Sequence, residues 1–232
     1  MPGSAGYAIL FLGTLLEALV VVCALRRKVL RRYFFLNLYM ILCVCSSLGR
    51  YRILSQEGLE SVNYRYFYFY SDALLTIVLF LAVTSLYGYV LEELKIERYV
   101  RLGAIVLLAG TAWFSYSVVM QSSHRIVTYF AFELSQNLYF VGLVLTYALW
   151  ATILKMRESR TLLVQLVLSL GIYFSAIAAS FALTNLRPDL YSSITYVVPV
   201  MGCLLPLSWA YAFWRVPDEA RLAPSRLAVV PR

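Results

Sequence analysis

Residues 66–91 read YFYFYSDALLTIVLFLAVTSLYGYVL, an apolar and aromatic run in which Asp72 is the only charged residue. A helix needs about 20 predominantly apolar residues to cross the roughly 30 Å hydrocarbon core of a bilayer. The run is continuous, without the strict apolar-polar alternation of a membrane β-barrel strand. It therefore predicts a transmembrane helix, and this prediction decides the fold class.

Comparable runs recur along the whole chain of 232 residues. The predicted spans cover residues 6–25, 33–49, 66–91, 102–120, 126–154, 162–183 and 194–214. The apolar fraction is 62%, against about 45–50% in soluble domains, and the mean hydropathy is +0.76. These values exclude a soluble domain, a disordered chain and a nucleic-acid-binding module. We predict an all-α, polytopic bundle of seven transmembrane helices over residues 1–214, with a short flexible cytoplasmic tail over 215–232.

The distribution of basic residues predicts the orientation of the bundle. Residues 1–6 carry no Lys or Arg, and a basic cluster follows the first span at residues 26–32. This is the reverse of the charge order of a signal peptide, so we expect the first helix to be retained. Fifteen Lys and Arg residues lie on one side of the predicted bundle and five on the other. The positive-inside rule then places the amino terminus outside and the carboxy terminus in the cytoplasm of a multi-pass inner (plasma) membrane protein.

Several kinds of chemistry are excluded by the residue types. A retinal Schiff base needs a lysine at membrane depth, whereas Lys28, Lys95 and Lys155 all fall in predicted cytoplasmic loops. The single histidine, His124, excludes bis-histidine haem ligation within one chain. The four cysteines lie in apolar segments and are expected to be free thiols. No catalytic motif is present, and we expect neither a metal nor a cofactor nor an enzymatic activity.

Three acids fall inside the predicted spans: Glu17, Asp72 and Glu133. Charged side chains are costly in lipid, so they should face the bundle interior. Arg50 lies at the outer end of the second span, and Asn137 follows Glu133 by one helical turn. We hypothesise that these five residues line a ligand or ion pocket open to the outer face. The alternative is that they only form hydrogen bonds between helices.

Aromatic and proline residues give two further predictions. Tyr66, Tyr68 and Tyr70 open the third span on the outer side, and they form either an interfacial belt or the wall of a pocket. Pro199 and Pro206, seven residues apart in the last span, should kink that helix.

Three functions are compatible with these features. The first is a non-enzymatic sensor-like bundle, or a subunit of a membrane assembly, that acts through a partner because no output domain is attached. The second is a small transporter or proton-coupled carrier that uses the buried acids. The third is a lipid- or quinone-binding membrane protein with its pocket at the aromatic end of the third helix. Expected partners are membrane lipids and either a membrane protein or a second copy of this chain, with no nucleic acid.

Three stretches carry a resemblance to a group of proteins. They are LLEALVVVCALRRKVLRRYF at 15–34, YFYFYSDALLTIVLF at 66–80 and FELSQNLYFVGLVLTYALW at 132–150. The chain resembles the small, uncharacterised seven-helix membrane proteins of acidobacteria. Those proteins often carry Trp and Glu around the position of Ser71 and Asp72, where this chain departs from the pattern, and a Glu near the inner end of helix three, where this chain has Glu92 and Glu93. The resemblance implies a membrane bundle and no particular activity.

Overall fold

A computed structural model describes residues 4–58, 61–92, 97–120, 126–156, 160–187 and 197–217. Almost all of these residues are helical. The helices are α1 (Ser4–Arg26), α2 (Phe34–Glu57), α3 (Val62–Val90), α4 (Glu97–Met120), α5 (Ile126–Met156), α6 (Thr161–Leu186) and α7 (Val197–Arg215). The predicted all-α, polytopic architecture is confirmed. The predicted tail beyond residue 217 lies outside the described residues.

Six of the helices, α2 to α7, are long and apolar enough to cross a membrane. The protein is therefore a multi-pass integral membrane protein. Helix α1 is not among the six, although it has 23 residues, a length of about 34 Å. A seventh crossing by α1 and the direction of insertion stay predictions.

The second helix is longer than the sequence predicted. It was expected to end near residue 49 but continues to Glu57, where Gly58 follows with a φ of 80° that favours glycine. The next helix is capped by Ser61, whose Oγ accepts a hydrogen bond of 2.9 Å from the Tyr64 amide. The length of an apolar run does not predict such an extension, because a helix can continue beyond the run into the polar interface. As a result, Arg50 lies within α2 rather than in a loop.

Consecutive helices run antiparallel, and six of them form a closed ring. The order around the ring is α1, α2, α3, α5, α6 and α7, with α7 packed again on α1. Helix α4 lies outside the ring against α3 and α5. We call the end where α1, α3, α5 and α7 begin the upper end, and the opposite end the lower end. Many apolar side chains of α4 are exposed, including Trp113 at 72%, as expected for a lipid-facing helix.

Glycines allow two close helix approaches within the ring. A Cβ added at Gly142 of α5 would overlap the ring of Phe174 on α6. A Cβ added at Gly49 of α2 would overlap the ring of Phe67 on α3. Small residues commonly permit such close packing between membrane helices. These approaches bring the inner faces of α2, α3, α5 and α6 together around the interior.

Candidate functional site

Arg50 lies at the centre of a polar cluster in the upper half of the ring. Its Nη2 and Nε donate hydrogen bonds of 2.8 and 3.1 Å to Ser71 Oγ on α3. Its guanidinium carbon also lies 4.5 Å from the centre of the Tyr68 ring, a cation–π distance. Two groups of α3, one polar and one aromatic, therefore fix the guanidinium in one position.

Two acids flank this guanidinium. Glu17 of α1 and Asp72 of α3 both interact electrostatically with Arg50. Ser47 donates a long hydrogen bond of 3.5 Å to the Glu17 carboxylate. Ser135 of α5 faces the Asp72 carboxylate, although its buried hydroxyl is not aligned for a hydrogen bond with any described group. The cluster thus collects two carboxylates and one guanidinium from three helices.

The remaining predicted members of the pocket lie on another face of α5. Asn137 donates a 3.0 Å hydrogen bond to Ser115 on α4. Glu133 is one helical turn from Asn137 and shares its face, whereas Ser135 is directed toward Asp72. The structure therefore brings Glu17, Arg50 and Asp72 together and places Glu133 and Asn137 toward α4.

Below the charged cluster, three buried tyrosines form a series of neighbours. The ring of Tyr173 on α6 lies 6.4 Å from that of Tyr139 on α5, and Tyr39 of α2 is also near Tyr173. Tyr139 in turn lies beside Thr76, one turn after Asp72. The series carries polar groups from the acid on α3 into the middle of the bundle.

The lower end of the interior is mostly apolar. The Tyr39 ring packs 6.2 Å from that of Trp209 on α7, and Trp209 Nε1 donates a 2.8 Å hydrogen bond to Ser169 on α6. Below this level, fully buried apolar side chains close the ring: Leu36, Leu86, Leu163, Leu166 and Phe213. Two amides, Asn37 and Gln165, lie among them, each with a buried side-chain oxygen that has no described hydrogen-bond partner.

A cavity of about 620 Å³ lies between α1 and α2 in the upper half. Its lining includes Thr14, Ser47, Leu48 and Tyr51, and the last two are exposed on the outside of the ring. Ser47 is the residue that donates to Glu17, and Thr14 lies one turn before Glu17 on α1. The cavity therefore adjoins the charged cluster through Ser47.

The three tyrosines at the start of α3 have different surroundings. Tyr66 lines a groove of about 460 Å³ between α3 and α5, with Phe69 and Phe132. Tyr68 stacks on Arg50 instead. Tyr70 is stacked on Tyr66, with ring centres 6.2 Å apart. Of the three tyrosines predicted to form a belt or a pocket, only Tyr66 lines the described groove. Binding of a lipid or quinone in this groove stays a prediction.

In the part of the chain that the structure describes, the proline, cysteine and metal-ligating residues form no second candidate site. Pro206 lies inside α7, whereas Pro199 is within its first described turn, where a missing amide donor removes no intrahelical hydrogen bond. Kinking at these prolines stays a prediction. The cysteines are free, and no group of three or more metal-ligating side chains occurs among the described residues.

Sequence reasoning missed the interior tyrosines and Ser47, whereas Ser71 and Ser135 had been expected beside the charges. A signal existed, because polar residues recur four positions apart on inward faces: Tyr39 and Cys43 on α2, Asp72 and Thr76 on α3, Ser135 and Tyr139 on α5. Such spacing places both members of a pair on one helix face. Comparison of the chain with protein-family models, with curated proteins and with solved structures gave no match.

Proposed function

We propose that this chain is a non-enzymatic, sensor-like membrane protein that binds a small cation in the upper half of its helix ring. The supporting observation is the convergence of Glu17, Arg50 and Asp72 from three helices beside a cavity. The helix ring carries no further domain within the described residues that would give an output. We therefore propose that the bound state is passed to a partner in the membrane.

The charges of the cluster favour a cation over an anion. Two carboxylates outnumber one guanidinium, so the described cluster has an excess negative charge when both acids are ionised. Arg50 is already engaged by Ser71 and Tyr68. The Glu17 carboxylate has a single long hydrogen bond from Ser47, although two carboxylate oxygens together accept about four. A ligand with one positive, hydrogen-bond-donating nitrogen would complement Glu17.

Stabilisation by alkylammonium ions tests the proposal. We expect methylammonium to raise the unfolding midpoint of the full chain in nanodiscs in a concentration-dependent way, because binding to the folded state stabilises it. Glu17→Gln should remove this shift, whereas Glu133→Gln, a matched change on the α4-facing side of α5, should retain it. A shift that is absent in the wild-type protein, or that survives in Glu17→Gln, would contradict the proposal.

The partner is tested separately by native mass spectrometry after gentle extraction from the source membrane. A particle that contains this chain and a second polypeptide supports action through a partner. Isolation of the chain solely as a monomer would count against that part of the proposal while leaving ligand binding intact.

A proton-coupled carrier is the second candidate, and one observation favours it. The series Tyr139, Tyr173 and Tyr39 extends from Asp72 toward Trp209 and Ser169, and hydroxyl groups can both donate and accept protons. This function requires pH-dependent flux in liposomes that Asp72→Asn abolishes. Unchanged flux in Asp72→Asn, with Glu133→Gln as the matched control, would reject the assigned path.

A further inference from the structure

A second groove lies in the lower half of the molecule, outside the ring interior. It runs between α3 and α4, next to the start of α2, and has a volume of about 560 Å³. On α3 it extends from Leu81 to Tyr89, and Glu92 lies just beyond the helix end at the bottom of the groove. From Leu81 to Tyr89 is about 12 Å of helix, a little less than half the thickness of the hydrocarbon core.

The walls of this groove are chemically apolar. Leu81, Ile105 and Leu108 line its inner part. The hydroxyls of Thr84 and Ser85 also line it, but each donates to its own helix: Thr84 to the Leu81 carbonyl at 2.9 Å and Ser85 to the Ala82 carbonyl at 2.7 Å. Tyr89, the third hydroxyl-bearing residue of the lining, lies near the lower end of α3. In the inner part of the groove, an unbranched hydrocarbon chain therefore meets no described polar group that needs a partner.

Gly88 keeps the groove open near its mouth. A Cβ added at Gly88 would meet no atom within 4 Å, so the space beside it is empty rather than filled by a neighbouring helix. A larger side chain at this position would occupy the path of any guest without disturbing the packing of α3.

The described charges at the mouth are mainly positive. Arg101 lines the mouth, and Arg32 lies near the lining residue Tyr89. The one described acid there, Glu92, is paired with Arg160, with 3.6 Å between Nη1 and Oε2. Arg160 also donates a 2.7 Å hydrogen bond to the Tyr89 carbonyl. Among the described residues, basic side chains therefore outnumber acids at the lower end of the groove.

We propose that the groove between α3 and α4 binds an anionic phospholipid, with one acyl chain along Leu81, Ile105 and Leu108 and the phosphate beside Arg101. Zwitterionic lipids offer the same chains but no net negative charge, so they should bind less tightly. The site is separate from the cluster around Arg50, and its occupancy does not depend on the function proposed for that cluster.

Native mass spectrometry of the full chain, titrated with phosphatidylglycerol or with phosphatidylcholine of the same chain length, tests this site. We expect one phosphatidylglycerol to remain bound under conditions that remove phosphatidylcholine. Arg101→Gln should weaken phosphatidylglycerol binding about fivefold, as expected for one basic residue near a headgroup. Arg26→Gln, which removes a charge at the same end outside the groove, should have no such effect.

A second pair of variants tests whether the acyl chain of the lipid lies along the groove beside Gly88. Gly88→Leu should abolish retention of the lipid, whereas Gly103→Leu, on an exposed position of α4 outside the groove, should retain it. Unchanged unfolding midpoints for both variants would show that folding is intact. Equal affinity for the two lipids, retention in Gly88→Leu, or equal loss in Gly103→Leu would each overturn the proposal.

Discussion

The upper and lower parts of the ring interior are built from different side chains. The upper part holds Glu17, Arg50 and Asp72, and a cavity between α1 and α2 adjoins it through Ser47. The lower part is closed by fully buried residues such as Leu86, Leu166 and Phe213. The same helices contribute to both parts, so the difference arises from residue type along each helix and not from the architecture.

The comparison indicates which part is specialised for binding. An apolar interior stabilises a membrane bundle through close packing, whereas ionisable groups in that environment are costly and are associated with function. In the upper part, the positive charge of Arg50 partly compensates the negative charges of Glu17 and Asp72. In the lower part, the arginine that contacts α3, Arg160, bridges to Glu92, which is 64% exposed. The two arginines provide the sharpest way to compare the two ends.

Replacement of the two arginines should give the largest contrast. Arg50→Gln removes the positive charge near Glu17 and Asp72, and because all three residues are partly buried the cost should approach, but not exceed, the roughly 3–5 kcal/mol of a fully buried pair. Arg160→Gln loses an ion pair with an exposed acid, which is worth about 0–1 kcal/mol, and one hydrogen bond of about 1 kcal/mol. The free energies of unfolding of both variants in detergent, measured by denaturant titration, check this order.

Removal of the acids as well should restore much of the lost stability. The triple variant Glu17→Gln, Arg50→Gln, Asp72→Asn leaves no uncompensated charge in the cluster. It should be more stable than Arg50→Gln alone. A triple variant that is less stable than the single one would mean that Arg50 contributes mainly by packing.

The glycine at the tightest described approach between α5 and α6 should give an intermediate effect. Gly142→Ala forces a Cβ against the Phe174 ring and should cost about 1–3 kcal/mol, as overpacking does. Gly171→Ala is the matched control because its added Cβ would lie 3.6 Å from Thr146, an ordinary contact. Thermal unfolding of the two variants measures the difference, and equal midpoints would show that α5 and α6 can move apart at no cost.

The hydrogen bond between Trp209 and Ser169 should give the smallest effect. It lies at the boundary between the tyrosine series and the apolar lower part. A double-mutant cycle with Trp209→Phe and Ser169→Ala should yield a coupling of about 0.6 kcal/mol, the average for hydrogen bonds between membrane helices. A coupling energy indistinguishable from zero in denaturant unfolding would show that this hydrogen bond does not stabilise the fold.

The fold was largely predictable from the sequence because hydrocarbon thickness fixes the length of a membrane helix. Apolar runs therefore located the helices well, but they missed the extension of α2 through Arg50 to Glu57, since interfacial turns need not be apolar.

The candidate site was only partly predictable. The distance of Asp72 and Glu133 from the starts of their helices indicated that they lie at one depth in the membrane. The direction in which a helix face points, however, depends on the neighbouring helices, and α4 lies outside the ring. For this reason Asn137 contacts Ser115, while Glu17 from the first helix joins the cluster.

We expect water to reach the upper part of the interior more readily than the lower part, and single introduced cysteines measure this access. In a background lacking the four native cysteines, new cysteines would replace Ser47 and Ser71 in the upper part and Val83 and Leu166 in the lower part. The rate of reaction with a small cationic methanethiosulfonate reagent would be measured in nanodiscs. We expect Ser47→Cys to react fastest, Ser71→Cys next, and the two lower positions to stay unmodified. Equal rates at upper and lower positions would contradict a polar, accessible upper part above a closed apolar one.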